Sequence, residues 1–326
     1  MPIDHQKILR ENVATRSVLV TGGAGFIGSH LVDRLIAKGK YTVTIFDNLF
    51  RGKPENIESH ISDARFIRGD LRDKDAVIDA CQGQEIIFHL GAQSNVMGAM
   101  SDSRYSFESN VVGVYNLLDA ARQVGTRRVI FTSSREVYGE GMDLPVHEDH
   151  PLQAKNPYGA SKASGEIYFR VFGSVYGLET VIFRLANVYG ERDFGRVIPI
   201  FLERAYRGDP LWIYGGDQVI DFIRIDIVIE ALMQSMDRED ILGFPINIGS
   251  GTGVTLQKLA SRVRDVTESK SETLFRPVRT HEVARFTADI SRFRRYFDIP
   301  IPPDPLDYLQ KMALNQKNQK NQKKFN

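Results

Sequence analysis

Tyr158 and Lys162 stand four residues apart in the stretch Asn156-Pro157-Tyr158-Gly159-Ala160-Ser161-Lys162. On a helix, residues at that spacing share one face, a turn apart. An ammonium placed there stabilises a phenolate, whose unperturbed pKa is about 10. That makes a tyrosine usable as a proton acceptor near neutral pH. Upstream, Ser134 closes an apolar run, Arg128-Val129-Ile130-Phe131, that reads as a strand. Hydroxyl, phenol and ammonium together can polarise an alcohol or a carbonyl. The spacing alone also describes two surface residues of an amphipathic helix, so its weight depends on the elements that position it.

The front of the chain supplies them. Ser17-Val18-Leu19-Val20 reads as a short strand, followed by Thr21-Gly22-Gly23-Ala24-Gly25-Phe26-Ile27-Gly28. Gly22, Gly25 and Gly28 fit G-x-x-G-x-x-G, and Gly23, Gly25 and Gly28 fit G-x-G-x-x-G. Helical spacing follows at Phe26, Ile27, Leu31, Leu35 and Ile36. Such glycines permit a tight turn and close backbone approach, and the helix N-terminus then offers free N–H groups to a pyrophosphate. The next strand, residues 42–47, ends in Asp47, about 20 residues past the glycines, where a carboxylate accepts both ribose hydroxyls of an adenosine. This context predicts dinucleotide binding. Asp47 favours NAD over NADP, because a 2′-phosphate there would meet a like charge. Arg51, close by in sequence, leaves NADP as the alternative.

Alternation then continues: strand 64–70 ending in Asp70, helix 73–81, strand 85–92, helix 104–123, strand 128–133, helix 158–175 and strand 179–185. Repeated βαβ units predict a parallel, doubly wound sheet. Leu90, Gly91 and Ala92, at a strand's carboxyl end, suit close passage of a cofactor. His89 lies inside an apolar strand and reads as a core residue. After residue 190 the texture changes, with a helix at 195–206, short strands at 210–216, 221–226 and 245–249, and a helix at 255–266. Residues 315–326 are Gln-, Lys- and Asn-rich, which predicts disorder. The polar leader, 1–16, carries no assigned function.

With 42 Lys and Arg against 41 Asp and Glu, the net charge of +1 gives no electrostatic ground for a nucleic-acid or membrane partner. The single cysteine, Cys81, excludes an internal disulfide and a Cys-rich metal site, and suits a reducing cytoplasm. No metal is expected. No apolar run reaches the ~18 residues of a membrane span, and no signal-peptide pattern opens the chain.

These residues together resemble the extended short-chain dehydrogenase/reductase family, specifically its NAD-dependent nucleotide-sugar epimerases and dehydratases. The resemblance runs from about Ser17 to about Asp298. It rests on T-G-G-A-G-F-I-G-S-H from Thr21, D-N-L from Asp47, G-D-L from Gly69, S-S-x-x-V-Y-G from Ser133, Y-G-x-S-K from Tyr158 and R-x-x-N-V-Y-G from Arg184. It implies a Rossmann-type doubly wound sheet with a smaller C-terminal substrate-binding lobe. The expected division is an NAD-binding domain at 16–186, to which strands near 221–249 return, and a lobe from 187–220 and 250–314. It implies Ser134, Tyr158 and Lys162 as the catalytic set, and Gly22, Gly25, Phe26, Ile27, Gly28, Asp47, Asn48, Asp70, Leu71, Leu90 and Ala92, with Tyr158 and Lys162, as the bed for NAD. Asn187 is expected on the diphosphate of a nucleotide-diphosphate sugar, and the pair Arg279 and Glu282 on its nucleotide. A homodimer packed through helices 104–123 and 158–175 is also implied.

Two positions depart from that pattern. Many relatives carry an Arg before Asp-Phe where Ile220 stands here, and it contacts phosphate; Arg196 or Arg224 is expected to substitute. Glu136 occupies the place of a catalytic Glu in dehydratase and decarboxylase relatives, but its neighbour is Arg135 where thymidine-type dehydratases have an acid. A cationic Arg135 cannot serve as a paired general acid. The expected reaction is C4 epimerisation of a nucleotide-diphosphate sugar: Tyr158 takes the C4 hydroxyl proton, hydride passes to NAD, and the 4-keto sugar turns before hydride returns. The alternatives are a 4,6-dehydratase or decarboxylase using Glu136 as a further base and, more distantly, a non-catalytic NAD-binding regulatory protein.

Overall fold

The computed structural model describes residues 15–322, Met142 excepted. The expected polar leader therefore lies almost wholly outside the described residues. The strands are β1 (Arg16–Thr21), β2 (Tyr41–Asp47), β3 (Ala64–Arg68), β4 (Ile86–His89), β5 (Arg128–Ser134), β6 (Glu179–Leu185), β7 (Asn187–Tyr189), β8 (Leu211–Tyr214), β9 (Val219–Arg224) and β10 (Pro245–Ile248). Seven of them pair in parallel in the order β3-β2-β1-β4-β5-β6-β10. The order reverses between β1 and β4, and a cleft outside the carboxyl ends at such a switch point is where ligands bind in sheets of this kind.

Both faces of this sheet are covered, so its strands are apolar on both sides. Val18 and Val20 join one core cluster and Leu19 the other, as the two-residue period of a strand requires. Helix α1 (Phe26–Ala37) packs on the first face. On the second, α2 (Lys74–Cys81) contributes Val77, Ala80 and Cys81. The Asp73 carboxylate caps α2, accepting from Asp75 and Ala76 N–H at 3.1 Å each.

Helix α3 (Val96–Ser101) was not foreseen. The single helix predicted over 104–123 is present without interruption but is not α throughout. Helix α4 (Ser103–Phe107) runs into a π turn at Glu108–Val112, and α5 (Gly113–Val124) continues from it. The π turn places Asn110 in the interior, where its side chain accepts from the Gln93 N–H at 2.7 Å and donates to the Gln93 carbonyl at 3.0 Å and Ser161 Oγ at 2.9 Å. Helix α6 (Pro157–Tyr176) begins with Pro157, is capped by Asn156 on the Gly159 N–H at 2.9 Å, and stops at Gly177 with φ +70°.

The remaining helices are α7 (Val197–Arg207), α8 (Ile225–Gln234), α9 (Leu256–Thr267), α10 (Ser291–Tyr296) and α11 (Leu309–Gln322). Two short strands, β11 (Gly253–Thr255) and β12 (Thr273–Arg276), complete the elements. A third apolar cluster holds α7, α9 and α11 together with β8 and β9. Of the later strands expected to rejoin the main sheet, β10 does so, whereas β9 pairs with β7 and β11. Where disorder was expected from residue 315, α11 continues to Gln322. Leu309, Met312 and Ala313 bury its first turn and seed the helix that the polar residues extend.

Candidate functional site

A cleft of about 1160 Å³ opens at the carboxyl ends of the main sheet, and its wall contains every expected site residue except Arg224. The cofactor end is shaped by missing side chains. Gly22 sits at φ +69°, and a Cβ on it would lie 2.7 Å from the Gly91 nitrogen. A Cβ on Gly28 would collide with the Gly22 carbonyl oxygen. No side-chain hydrogen bond caps α1, which leaves the N–H groups of its first turn for an anion. Asp47 is buried, accepting from the Ala24 N–H at 3.0 Å and the Leu49 N–H at 2.8 Å. Its oxygens keep spare lone pairs for a ribose diol. Burial pushes its carboxyl above the usual range. Asp70 does the opposite: three hydrogen bonds from Arg72, with Asn48 adding a fourth donor, pull it down to about 2. This bed fits a dinucleotide.

At the centre, β5 delivers Ser134 and the first two turns of α6 deliver Tyr158 and Lys162. Ser134 stands close enough to the Tyr158 hydroxyl to favour its ionised form and accepts from the Glu136 N–H at 3.2 Å. Burial pushes the Tyr158 phenol up from its ordinary value; the Arg196 guanidinium, Ser134 and Arg135 pull it back, and Glu136 adds to the rise. Lys162 is buried, with Nζ donating to the Thr132 carbonyl at 2.9 Å. Burial draws its ammonium down to about 7, with Glu166 opposing. His89 lies behind Lys162 with Nδ1 2.9 Å from Thr21 Oγ1, and burial holds it neutral, near 3.

Glu136 is engaged at both oxygens. Arg135 Nη2 lies 3.0 Å from Oε1, and Asn156 Nδ2 donates to Oε2 at 2.8 Å. The same guanidinium donates through Nε to Asn187 Oδ1 at 2.7 Å. A polar chain therefore runs from Asn187 through Arg135 and Glu136 to Asn156, the cap of the helix that carries Tyr158.

The far end of the cleft holds Arg279, stacked 3.7 Å above the Tyr214 ring centre and paired with Glu282 at 3.0 Å. Arg196 faces in between the two ends, over the Phe26 ring and 3.1 Å from Asp193. Arg224 does not reach the cleft. It is bound to Asp226 and to Asp307 (2.7 Å) and lies over Tyr308, because β9 left the main sheet and turned this side chain toward the C-terminal segment. Of the two proposed substitutes for the missing Arg at Ile220, only Arg196 is in place.

Several groups escaped the sequence reading. Phe194 is held between Arg51 and Lys53, at 4.9 and 4.4 Å from its ring centre, over the cofactor end. Beneath the reactive set, the fully buried Glu166 accepts from Ser133 Oγ at 2.5 Å and from Arg184 at 2.6 and 2.9 Å. Arg184 goes on to the Tyr138 hydroxyl, which donates to Asn247 on β10. A signal existed: Glu166 lies one turn past Lys162. Among the described residues, no group of three or more His, Cys, Asp or Glu is arranged to hold a metal ion, and no helix is long and apolar enough to cross a membrane.

The sequence model of the NAD dependent epimerase/dehydratase family matches residues 18–249. A putative UDP-glucose 4-epimerase of Methanocaldococcus jannaschii is 36% identical over 284 residues, 84% of this chain and 90% of that protein. The UDP-N-acetyl-alpha-D-glucosaminuronate decarboxylase of Bacillus cytotoxicus is 34% identical over 269 residues, 79% of this chain and 83% of that protein. Among solved structures, the UDP-glucose 4-epimerase of Thermus thermophilus in complex with NAD superposes with a TM-score of 0.84 at 32% identity, covering 91% of this chain and 97% of that one. The glycine cradle, the buried Asp47 and these likenesses agree: the chain belongs to the NAD-dependent epimerase/dehydratase family and is an enzyme whose cofactor is NAD.

Proposed function

We propose that this enzyme inverts C4 of a nucleotide-diphosphate sugar, with a UDP-sugar as the first candidate, through a transient 4-keto sugar. The observation that carries this is the double engagement of Glu136. It leaves Tyr158, with Ser134, as the group free to handle a proton at the sugar. Bound NAD supplies the redox chemistry, uptake of hydride from C4 and its return.

The residues do the rest. Tyr158 exchanges the proton of the C4 oxygen. Its raised pKa makes the phenol a strong base once ionised, and the positive charges of Arg196 and Arg135 oppose the rise that burial causes. Ser134, beside the Tyr158 hydroxyl, orients the same oxygen. Lys162, fixed on the Thr132 carbonyl, holds the cofactor's ribose and steadies the phenolate. Asn187 spends its side-chain oxygen on Arg135, which turns its amide NH₂ toward a diphosphate oxygen. Arg196 and Arg279 add charge along the path to the nucleotide. The breadth of the cleft gives a keto sugar room to present its other face.

Dehydration or decarboxylation is the second reading, and Glu136 in the wall of the same cleft supports it. Incubation with UDP-, GDP-, CDP- and dTDP-sugars, followed by mass spectrometry and NMR, separates the two. Unchanged mass with an inverted C4 is expected. Loss of water or carbon dioxide would replace this reading with the second.

A cytoplasmic homodimer completes the proposal. Ile167, Val171 and Val175 form a stripe at helical spacing on α6, at 54, 44 and 64% exposure, with Tyr115 of α5 beside it. A second copy of the chain is the occupant that would cover this face.

A further inference from the structure

We infer that Arg135 is a positioning residue that sets reaction specificity: it ties up Glu136 so that no base attacks C5 while the sugar is a ketone. The inference rests on the C4-epimerase reading above. In a 4-keto sugar the C5–H bond is acidic, because the electron pair left behind is shared with the C4 carbonyl. A free carboxylate nearby would take that proton, form the C4–C5 enolate, and return a proton from solvent to C5. If the C6 hydroxyl then departed as water, the product would be a dehydrated sugar. An epimerase must therefore keep carboxylates in its cleft from acting on carbon.

Glu136 is the carboxylate at risk. It lines the cleft two residues past Ser134 and is near enough to Tyr158 to act on its ionisation. Its restraint is built from three elements. Arg135 Nη2 takes Oε1 at 3.0 Å, and Asn156 takes Oε2 at 2.8 Å. Arg135 is itself fixed, by Nε on Asn187 Oδ1 at 2.7 Å and by the Phe286 ring 5.7 Å beneath it. A surface pair between sequence neighbours would be worth little, but this one has 11 and 7% side-chain exposure. Its guanidinium cannot lose its proton to release the partner. Asn156 alone, a neutral donor, would leave Oε1 free.

The test is deuterium entry at C5. Wild type, Arg135→Ala and Arg135→Gln are incubated in deuterium oxide with UDP-glucose, or with the panel sugar that inverts fastest at C4, and the recovered sugars are read by NMR. Wild type is expected to invert C4 without labelling C5. Arg135→Ala and Arg135→Gln are expected to label C5 at least roughly a hundredfold above the wild-type background, the lower end of what a positioned general base contributes. Adding Glu136→Gln to either should abolish the label. C4 inversion without C5 label in both variants overturns the inference, as does label that survives Glu136→Gln. Loss of C4 inversion in both variants also overturns it, since Arg135 would then serve the reaction rather than restrain it. If wild type inverts no sugar at C4, the epimerase reading has failed instead, whatever Arg135 does.

Discussion

Ser133 donates its hydroxyl to Glu166 at 2.5 Å, while Ser134, the next residue of β5, stands beside Tyr158. One serine is tied to the core so that its neighbour is held at the reaction. Glu166 also neutralises the buried Arg184 at 2.6 Å. Glu166→Gln would leave that cation uncompensated, an error that costs about 3–5 kcal/mol at buried pairs. Chemical denaturation should show a loss of that order. A change below about 1 kcal/mol would mean that the pair is not what fixes this corner.

Tyr158→Phe keeps the ring and removes the proton acceptor. The variant should retain its fold and bind NAD, and lose turnover by at least the ~10²-fold typical of acid–base groups. Near-normal turnover on the same sugar would take Tyr158 out of the mechanism.

Asp47 should make NAD preferred over NADP. Asp47→Ala removes a ribose acceptor and a repulsive charge together, so the ratio of the two dissociation constants should narrow. Titration calorimetry that found NADP bound more tightly by the wild type would refute the assignment.

Lys162 ties stability to pH. Its ammonium is drawn down to about 7 from an ordinary 10.5. The unfolded chain keeps the proton up to the higher value and the folded chain gives it up at the lower one. The group therefore opposes folding most below pH 7, and this penalty fades as pH rises toward 10.5. Lys162→Met removes the penalty and also the activity. Thermal melts of the cofactor-free proteins should show the variant's advantage largest below about pH 7 and shrinking above it. An advantage that stayed constant to about pH 10 would contradict the burial of a titrating amine.

Val175→Glu places a charge on the exposed stripe of α6, where 64% of the wild-type residue faces outward. Sedimentation should show the wild type as a dimer and the variant shifted to monomer, with its fold intact. A wild type that sediments as a monomer would remove the homodimer.

What the sequence disclosed was local in the chain. The glycine turn, Asp47 and the Tyr158–Lys162 face each fit within one βαβ step or one helical turn, so spacing alone displays them. The restraint on Glu136 was only half visible. Arg135 is its neighbour, but Asn187 is 52 residues from Arg135 and meets it only because β7 follows β6 beside β5. Arg224 was misplaced for the same reason, since its position depends on β9 pairing with β7 and β11. The π turn at Glu108–Val112 left no trace, because no Pro marks it.

That π turn lets the two halves of the helix keep a common register. A π turn spends one residue more than an α turn, so the chain here contains an extra tooth in its gear. Deleting a single residue there would let an ordinary α turn span nearly the same arc, so the following segment would keep its face and only the turn itself would change. Asn110 would leave Gln93 and Ser161, while Leu117 and Leu118 would stay in the core. A single residue lost at 108–112 would therefore be felt beneath the cleft, at Asn110, and not on the outer helical face.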